Sequence, residues 1–322
     1  MTELSIVCAV YGCGDSLPQL YDRLSKSASE VTADFELIFV DDRSPDRAWD
    51  VLTELARRDA RVSAYRLSRN FGETAAITAG LSRSRGRWTV VIDCDLEEPP
   101  EAIPSLYAKA LEGYDVVAGA RLARKHGLAR RLFGRVYRAM TLGPAEGEIG
   151  TLSILSRKVV DAFLALRDVE REFVLALAWL GFERTTVPFE HALRASGKSA
   201  YSFRRLARVA LSGMFFRTTV LLRWVVLLGF LIALGGAGLA VWVISSYFTT
   251  SQPRGYASLA VLLIVLIGFV IVSLGVLGLY IGRIFEQVKE RPLFVIDEEA
   301  PAGRDADAPP FTAEIGATRS GR

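Results

Sequence analysis

Short apolar runs alternate with amphipathic stretches through the first third of the chain. Leu4 to Val10 reads as a strand and is followed by a helix near Ser16 to Ser27. Phe35 to Val40 precedes a helix near Pro45 to Arg58, and Val62 to Leu67 precedes one from about Glu73 to Ser84. Trp88 to Ile92, a helix from Pro100 to Glu112, and Asp115 to Gly119 continue the pattern. Strand-length runs alternating with helix-length segments predict an α/β protein built on a doubly wound, largely parallel sheet. Ligands of such sheets sit beyond the carboxyl ends of the strands. Three polar clusters fall at those ends: Tyr11 to Asp15, Asp41 with Asp42, and Asp93 with Asp95. The pattern therefore predicts that they gather at one edge.

The last third is patterned differently. No charge occurs from Val225 to Ile244, nor from Tyr256 to Gly282. Each run reaches the roughly 20 residues that cross a hydrocarbon core, so two transmembrane helices are predicted. Arg204, Arg205, Arg208, Arg217 and Arg223 precede the first run and Arg283, Lys289 and Arg291 follow the second, whereas the connection from Ser245 to Ser258 holds only Arg254. The positive-inside bias then puts both ends, and the α/β domain, in the cytoplasm of a multi-pass inner-membrane protein. The amino terminus runs straight into a strand-like segment, unlike a cleavable signal.

This divides the chain into a cytoplasmic domain at 1–200, juxtamembrane amphipathic helices at 201–218, two spans with a short outer loop at 219–282, and a tail at 283–322. The tail is rich in acid, proline, alanine and glycine after Arg291 and is expected to be largely disordered.

Composition adds three limits. Hydrophobic residues make up 51% of the 322 positions and the net charge is only +3, which argues against nucleic acid as a partner. The basic amphipathic segment Arg121 to Arg138 instead suits an anionic bilayer surface. Cys8, Cys13 and Cys94 lack zinc-site spacing and fall in the cytoplasmic part, where thiols stay reduced; they read as small apolar fillers.

The most informative chemistry is the run VVIDCDLEEPPE from Val90 to Glu101. Residues i and i+2 of a strand point to one side, so Asp93 and Asp95 are able to converge on a cation. Carboxylates suit Mg²⁺ or Mn²⁺, and Mg²⁺ commonly takes one or two of them while substrate phosphates fill other positions. A solvated acidic turn is the alternative. Gly12-Cys13-Gly14 after the first strand begins like a dinucleotide fingerprint, but Leu17 stands where the third glycine is required, which leaves a turn as the better reading.

Taken in order, Ile6 to Tyr11, Val40 to Asp46, Asn70-Phe71-Gly72, Asp93 to Glu101, Gly119-Ala120-Arg121 and Arg194 to Tyr201, with the two apolar runs, resemble family 2 inverting glycosyltransferases. The likeness is to the polyprenyl-phosphate branch, which includes dolichol-phosphate mannose synthase and bactoprenol glucosyltransferases. It implies a GT-A, Rossmann-like fold and a nucleoside-diphosphate sugar donor, with a polyprenyl phosphate acceptor and a divalent metal, Mg²⁺ or Mn²⁺. Undecaprenyl phosphate and UDP-glucose are the acceptor and donor expected, and a homo-oligomer is compatible with it.

Carried onto these residues, the likeness implies that Ala9 and Tyr11 line the nucleotide site, with Tyr11 near the base and Asp41 or Asp42 on base or ribose. Asp93 sits at the diphosphate, and Asp95, with Glu97 as a further candidate, is on the metal. Arg121, Arg194, Lys198 and Ser199 face phosphate oxygens, and Asp93, Asp95 and Arg121 are the catalytic set. The chain departs from the pattern at Ala9, Glu97 and Ala200, and Gly150-Thr151-Leu152-Ser153 lacks an aspartate found in related sequences. A hydroxyl acceptor needs a general base. A phosphate monoester does not, since its second ionisation lies near pH 6. The lost aspartate therefore favours a lipid phosphate acceptor over the rival processive polysaccharide synthase. A non-catalytic, lipid- or partner-binding member is the other alternative.

Overall fold

The structure, a computed structural model, describes residues 2–121, 149–166, 168, 172–189, 256–289 and 291–300, with scattered positions between 225 and 245. The expected alternation is present: β1 (Leu4–Val10), α1 (Leu17–Val31), β2 (Phe35–Asp41), α2 (Ala48–Arg58), β3 (Val62–Leu67), α3 (Glu73–Arg83), β4 (Trp88–Asp93), α4 (Ile103–Ala110) and β5 (Val116–Arg121). Then follow β6 (Ile149–Ser156), α5 (Arg157–Ala165), α6 (Phe173–Leu180), β7 (Arg184–Phe189), α7 (Tyr256–Val288) and β8 (Ile296–Ala300).

One eight-stranded sheet runs in the order β7-β5-β6-β4-β1-β2-β3-β8. Its centre, β3-β2-β1-β4, is parallel as expected. The flanks make it mixed: β6 is antiparallel to β4 and β5, and β8 is antiparallel to β3.

Periodicity explains the layers. Leu17, Leu20, Leu24 and Ala28 recur at helical spacing on α1 and join Leu52 of α2 and Leu106 of α4 on one face of the sheet. Ala76 and Ile77 of α3, Phe163 of α5 and Phe173 of α6 cover the other face. With both faces covered, every residue of β1 is buried, which is why its sequence reads as an unbroken apolar run.

The tail expectation needs correction. Residues 296–300 form a strand at the sheet edge, with Ile296 only 6% exposed. Its sequence, IDEEA, offers one apolar anchor, and the docking comes from the β3 ladder and from ion pairs of Asp297, Glu298 and Glu299 with Arg43, Arg66 and Arg83. Composition alone does not register such pairing.

Among the described residues one helix, α7, is long and apolar enough to cross a membrane, over Leu266–Val288. It presents Ile267, Ile271, Leu274 and Ile281 outward. Of the earlier run, the described positions, such as Leu227 to Ile232, are helical and the rest lie outside the described residues. The amphipathic stretches 122–138 and 201–216 lie outside them too.

Close backbone approach fixes the entry into β4. A Cβ on Gly86 would stand 2.5 Å from the Ser5 backbone nitrogen and 2.6 Å from the Trp88 carbonyl oxygen. Backbone atoms cannot rotate aside, so Gly86→Ala is expected to cost about 2–3 kcal/mol, read as a lowered denaturation midpoint. An unchanged midpoint would contradict this packing.

Candidate active site

The carboxyl ends of β1, β2 and β4 bring the three polar clusters together. The Asp42 N–H donates to the Val10 carbonyl at 2.9 Å, and the Gly12 N–H donates to Ser44 Oγ at 3.2 Å. Asp46 accepts from the Gly14 N–H at 2.8 Å and from the Ala48 N–H at 3.1 Å, so one carboxylate orders both the loop after β1 and the start of α2. Gly12 has φ +67°, a left-handed turn suited to glycine, which supports the turn reading of Gly12-Cys13-Gly14.

Cys13 and Cys94 form a disulfide across this edge. This corrects the expectation that all three cysteines are reduced fillers; only Cys8 remains a free, buried thiol, and burial pushes its pKa well up. Because β1 and β4 are neighbours, their following loops bring residues 81 apart in sequence to a Cα–Cα distance of 6.3 Å, within bridging range. Ser16 Oγ adds a hydrogen bond to the Cys94 carbonyl at 3.1 Å.

The acidic motif straddles that disulfide. Asp93 ends β4 opposite Ala9 of β1. Asp95 accepts from the Glu97 N–H at 3.0 Å, closing a tight turn in which Leu96 takes φ +60°. A left-handed leucine is disfavoured. Here the buried Leu96 side chain, 7% exposed, holds the turn in place.

Further carboxylates crowd in that the sequence reading did not single out. Glu98 is 1% exposed, and Glu73, the first residue of α3, accepts from Thr151 Oγ1 at 3.2 Å. Burial pushes the Asp93 pKa well above the usual carboxylate range, and the charges of Glu73, Glu98 and Asp95 push it further. Burial, then Glu73, also raises Glu172 at the start of α6. The signal for Glu98 is its place within the run Val90 to Glu101. Glu73 had none, since an acid opening a helix is ordinary.

A carboxyl whose folded pKa lies above its unfolded one costs nothing in acid and destabilises progressively as pH climbs from the unfolded value to the folded one, above which the loss is complete. Asp93→Asn is therefore expected to stabilise chelator-treated protein by on the order of 1 kcal/mol at neutral pH, with no gain in acid, while abolishing activity. Thermal melts across pH check this, and a loss of stability at neutral pH would contradict it.

The other expected site residues divide clearly. Tyr11 is 54% exposed at the edge. Asp41 and Asp42 are buried, at 0% and 3% exposure. Asp42 accepts from the Phe71 and Gly72 N–H groups at 2.7 and 2.8 Å, tying the β2 end to the turn before α3. Burial raises its pKa against those two bonds. Asp41 accepts from the Ser44 N–H at 2.8 Å and lies 3.1 Å from Arg66 Nε, an ion-pair contact short of hydrogen-bond alignment. Arg121 ends β5, which runs in the same direction as β4. Arg194, Lys198 and Ser199 lie outside the described residues.

Two kinds of comparison bear on this arrangement. Among solved structures, mannosyl-3-phosphoglycerate synthase from Rubrobacter xylanophilus superposes with a TM-score of 0.50 at 16% identity, over 66% of this chain and 71% of that one. That likeness defines the class of fold, a GT-A-like α/β sheet. In sequence, residues 5–163 match the model for glycosyl transferase family 2. An undecaprenyl-phosphate 4-deoxy-4-formamido-L-arabinose transferase of Proteus mirabilis is 36% identical over 92% of this chain and 94% of its own length. An uncharacterized glycosyltransferase of Bacillus subtilis is 33% identical over 92% of this chain and 94% of its own. The chain belongs to glycosyltransferase family 2, and it is a glycosyltransferase.

Proposed function

We propose that this enzyme transfers a hexose from a nucleoside-diphosphate sugar to a polyprenyl phosphate at the cytoplasmic face of a membrane, inverting the anomeric carbon. Undecaprenyl phosphate is the acceptor indicated by the Proteus mirabilis relative, and UDP-glucose is the working donor. The observation that carries the reading is the crowding of carboxylates around Asp93 at the edge where β1, β2 and β4 end.

A cluster of carboxylates, half-buried at Asp93, Asp95 and Glu97 and buried at Glu98, is a poor resting arrangement unless a cation joins it. The residues present fit a divalent metal. Asp95, with Asp93 and Glu97 beside it, supplies hard oxygen donors of the kind Mg²⁺ and Mn²⁺ take. Among the described residues no three such side chains stand together as a ligand group, so the donor's diphosphate would have to fill the remaining positions. When bound, the metal supplies positive charge against the departing nucleoside diphosphate.

The chain's own residues then have these roles. Tyr11 offers an exposed ring for the base. Ala9, Asp41 and Asp42 act from beneath, holding the strand end and the turns that form the nucleoside's seat. Arg121, with Arg194, Lys198 and Ser199, receives phosphate oxygens, a task for which guanidinium forks are suited. A lipid phosphate arrives already ionised. One of its oxygens attacks C1 from the face opposite the diphosphate, the new C1–O bond forms as the C1–O bond to the diphosphate breaks, and no base is required. α7, with the earlier apolar run as a second span, holds the enzyme where such an acceptor is found.

One observation favours a second reading. Glu73 stands against Thr151, the position lacking the expected aspartate, and so presents a carboxylate where a hydroxyl acceptor would need a base. The test separates the two. Membranes containing the protein are given labelled nucleotide sugars, undecaprenyl phosphate and Mg²⁺ or Mn²⁺. Metal-dependent label in a single-sugar lipid supports the proposal, label in long polymer supports a polysaccharide synthase, and no transfer from any uridine or guanosine donor sinks both.

A further inference from the structure

The strand that returns to the sheet after α7 does more than cover an edge. β8 presents three consecutive acids that pair with arginines from three different elements, Glu298 also lying 3.8 Å from the Arg43 guanidinium that Asp297 binds. Asp297 binds Arg43 at 2.9 Å, Glu298 binds Arg66 at 3.0 Å, and Glu299 binds Arg83, at the end of α3, at 3.1 Å. The first two converge on the turn after β2. Arg43 holds φ +58° there, a conformation that a non-glycine residue keeps only when its surroundings impose it.

From Arg66 a continuous chain of polar contacts runs inward. Its guanidinium lies over Trp49, 5.7 Å from the ring centre, and reaches the fully buried Asp41 through Nε at 3.1 Å. Asp41 in turn accepts from the Ser44 N–H at 2.8 Å, and Ser44 Oγ accepts from the Gly12 N–H at 3.2 Å. Gly12 is the neighbour of Tyr11. Glu298 thus stands at the far end of a relay that terminates at the exposed ring on the nucleotide side.

We propose that Glu298 is a positioning residue for donor binding: it fixes Arg66, Arg66 neutralises and orients Asp41, and Asp41 with Ser44 sets the turn on which the nucleoside rests. A buried carboxylate keeps its place only with its countercharge, and because the guanidinium fork is preorganised, it loses little freedom per contact when it serves two carboxylates at once. The inference rests on the reading that places the nucleoside at this edge, and it makes β8, covalently joined to α7 through residues 289–295, part of the donor site's support.

The test uses the full chain in detergent or nanodiscs. Affinity for uridine, guanosine and cytidine diphosphates with Mn²⁺ is measured by calorimetry, and donor KM, kcat and melting temperature are read for Glu298→Gln, Glu298→Asp and Glu299→Gln. Glu298→Gln is expected to weaken binding of the preferred nucleotide, and to raise donor KM, by about 3- to 10-fold with kcat within about 2-fold. Glu298→Asp should recover most of the affinity, and Glu299→Gln, which removes an equivalent pair on the same strand, should leave it unchanged. Equal affinities for Glu298→Gln and Glu299→Gln would overturn the inference, as would a fall in melting temperature with unaltered affinity. Failure of the wild-type chain to bind any of the three nucleotides would instead sink the functional reading, and the inference with it.

Discussion

Replacing Asp95 by asparagine is expected to reduce kcat/KM for sugar transfer by at least about 10³-fold, equivalent to ~4 kcal/mol of lost transition-state stabilisation, with folding intact. The local geometry makes this a test of charge rather than of shape. Asp95 uses a side-chain oxygen to accept from the Glu97 N–H at 3.0 Å, and the asparagine carbonyl oxygen can accept the same bond. The left-handed Leu96 stays anchored because its own side chain is buried. What disappears is a carboxylate at the rim where, in the proposed function, the leaving diphosphate is neutralised. Rates with labelled donor, compared with thermal melts of the same preparations, check this. Activity within about tenfold of wild type would remove Asp95 from the reaction.

The second large effect concerns the Cys13–Cys94 disulfide, which closes a separation of 81 residues. Bridging distant segments restricts the unfolded chain most, and reducing such a bond typically costs about 2–4 kcal/mol. Urea unfolding with and without dithiothreitol should therefore give separate midpoints, with the paired substitutions Cys13→Ser and Cys94→Ser following the reduced curve. Coincident curves would mean that the bond contributes nothing to stability. Cys94 stands between the two aspartates, so the same bond pins the acidic motif to the loop that carries Tyr11.

How far these features were legible differs by element. The central strands announced themselves because burial on both faces demands continuous apolar runs, as in Ile6 to Val10 and Val90 to Ile92. Convergence of Tyr11, Asp41, Asp42, Asp93 and Asp95 at one edge followed from the topology. What stayed hidden depends on partners far away in sequence. β8 has a single buried apolar residue, and its partners Arg43, Arg66 and Arg83 precede it by more than two hundred positions. The disulfide needs β1 beside β4, which cysteine spacing does not encode. The roles of Asp41 and Asp42 are half visible: a pair of acids at a strand end points to a candidate site, but only the fold brings backbone N–H groups and Arg66 against them from within. Glu73 opens α3 in the ordinary manner of a helix-terminal acid, and its proximity to Thr151 comes from the position of β6 two strands away from β1.

In the proposed function the acidic pair at the end of β4 holds a cation jointly with the donor's diphosphate. Electron paramagnetic resonance of Mn²⁺ titrated into the purified chain reads that event directly, since the free-ion signal falls as the metal binds. Uridine diphosphate is expected to tighten Mn²⁺ binding in the wild-type protein by at least about tenfold. Asp93→Asn and Asp95→Asn are expected to abolish that tightening. Nucleotide binding that is indifferent to Mn²⁺, or tightening that survives both substitutions, would contradict it.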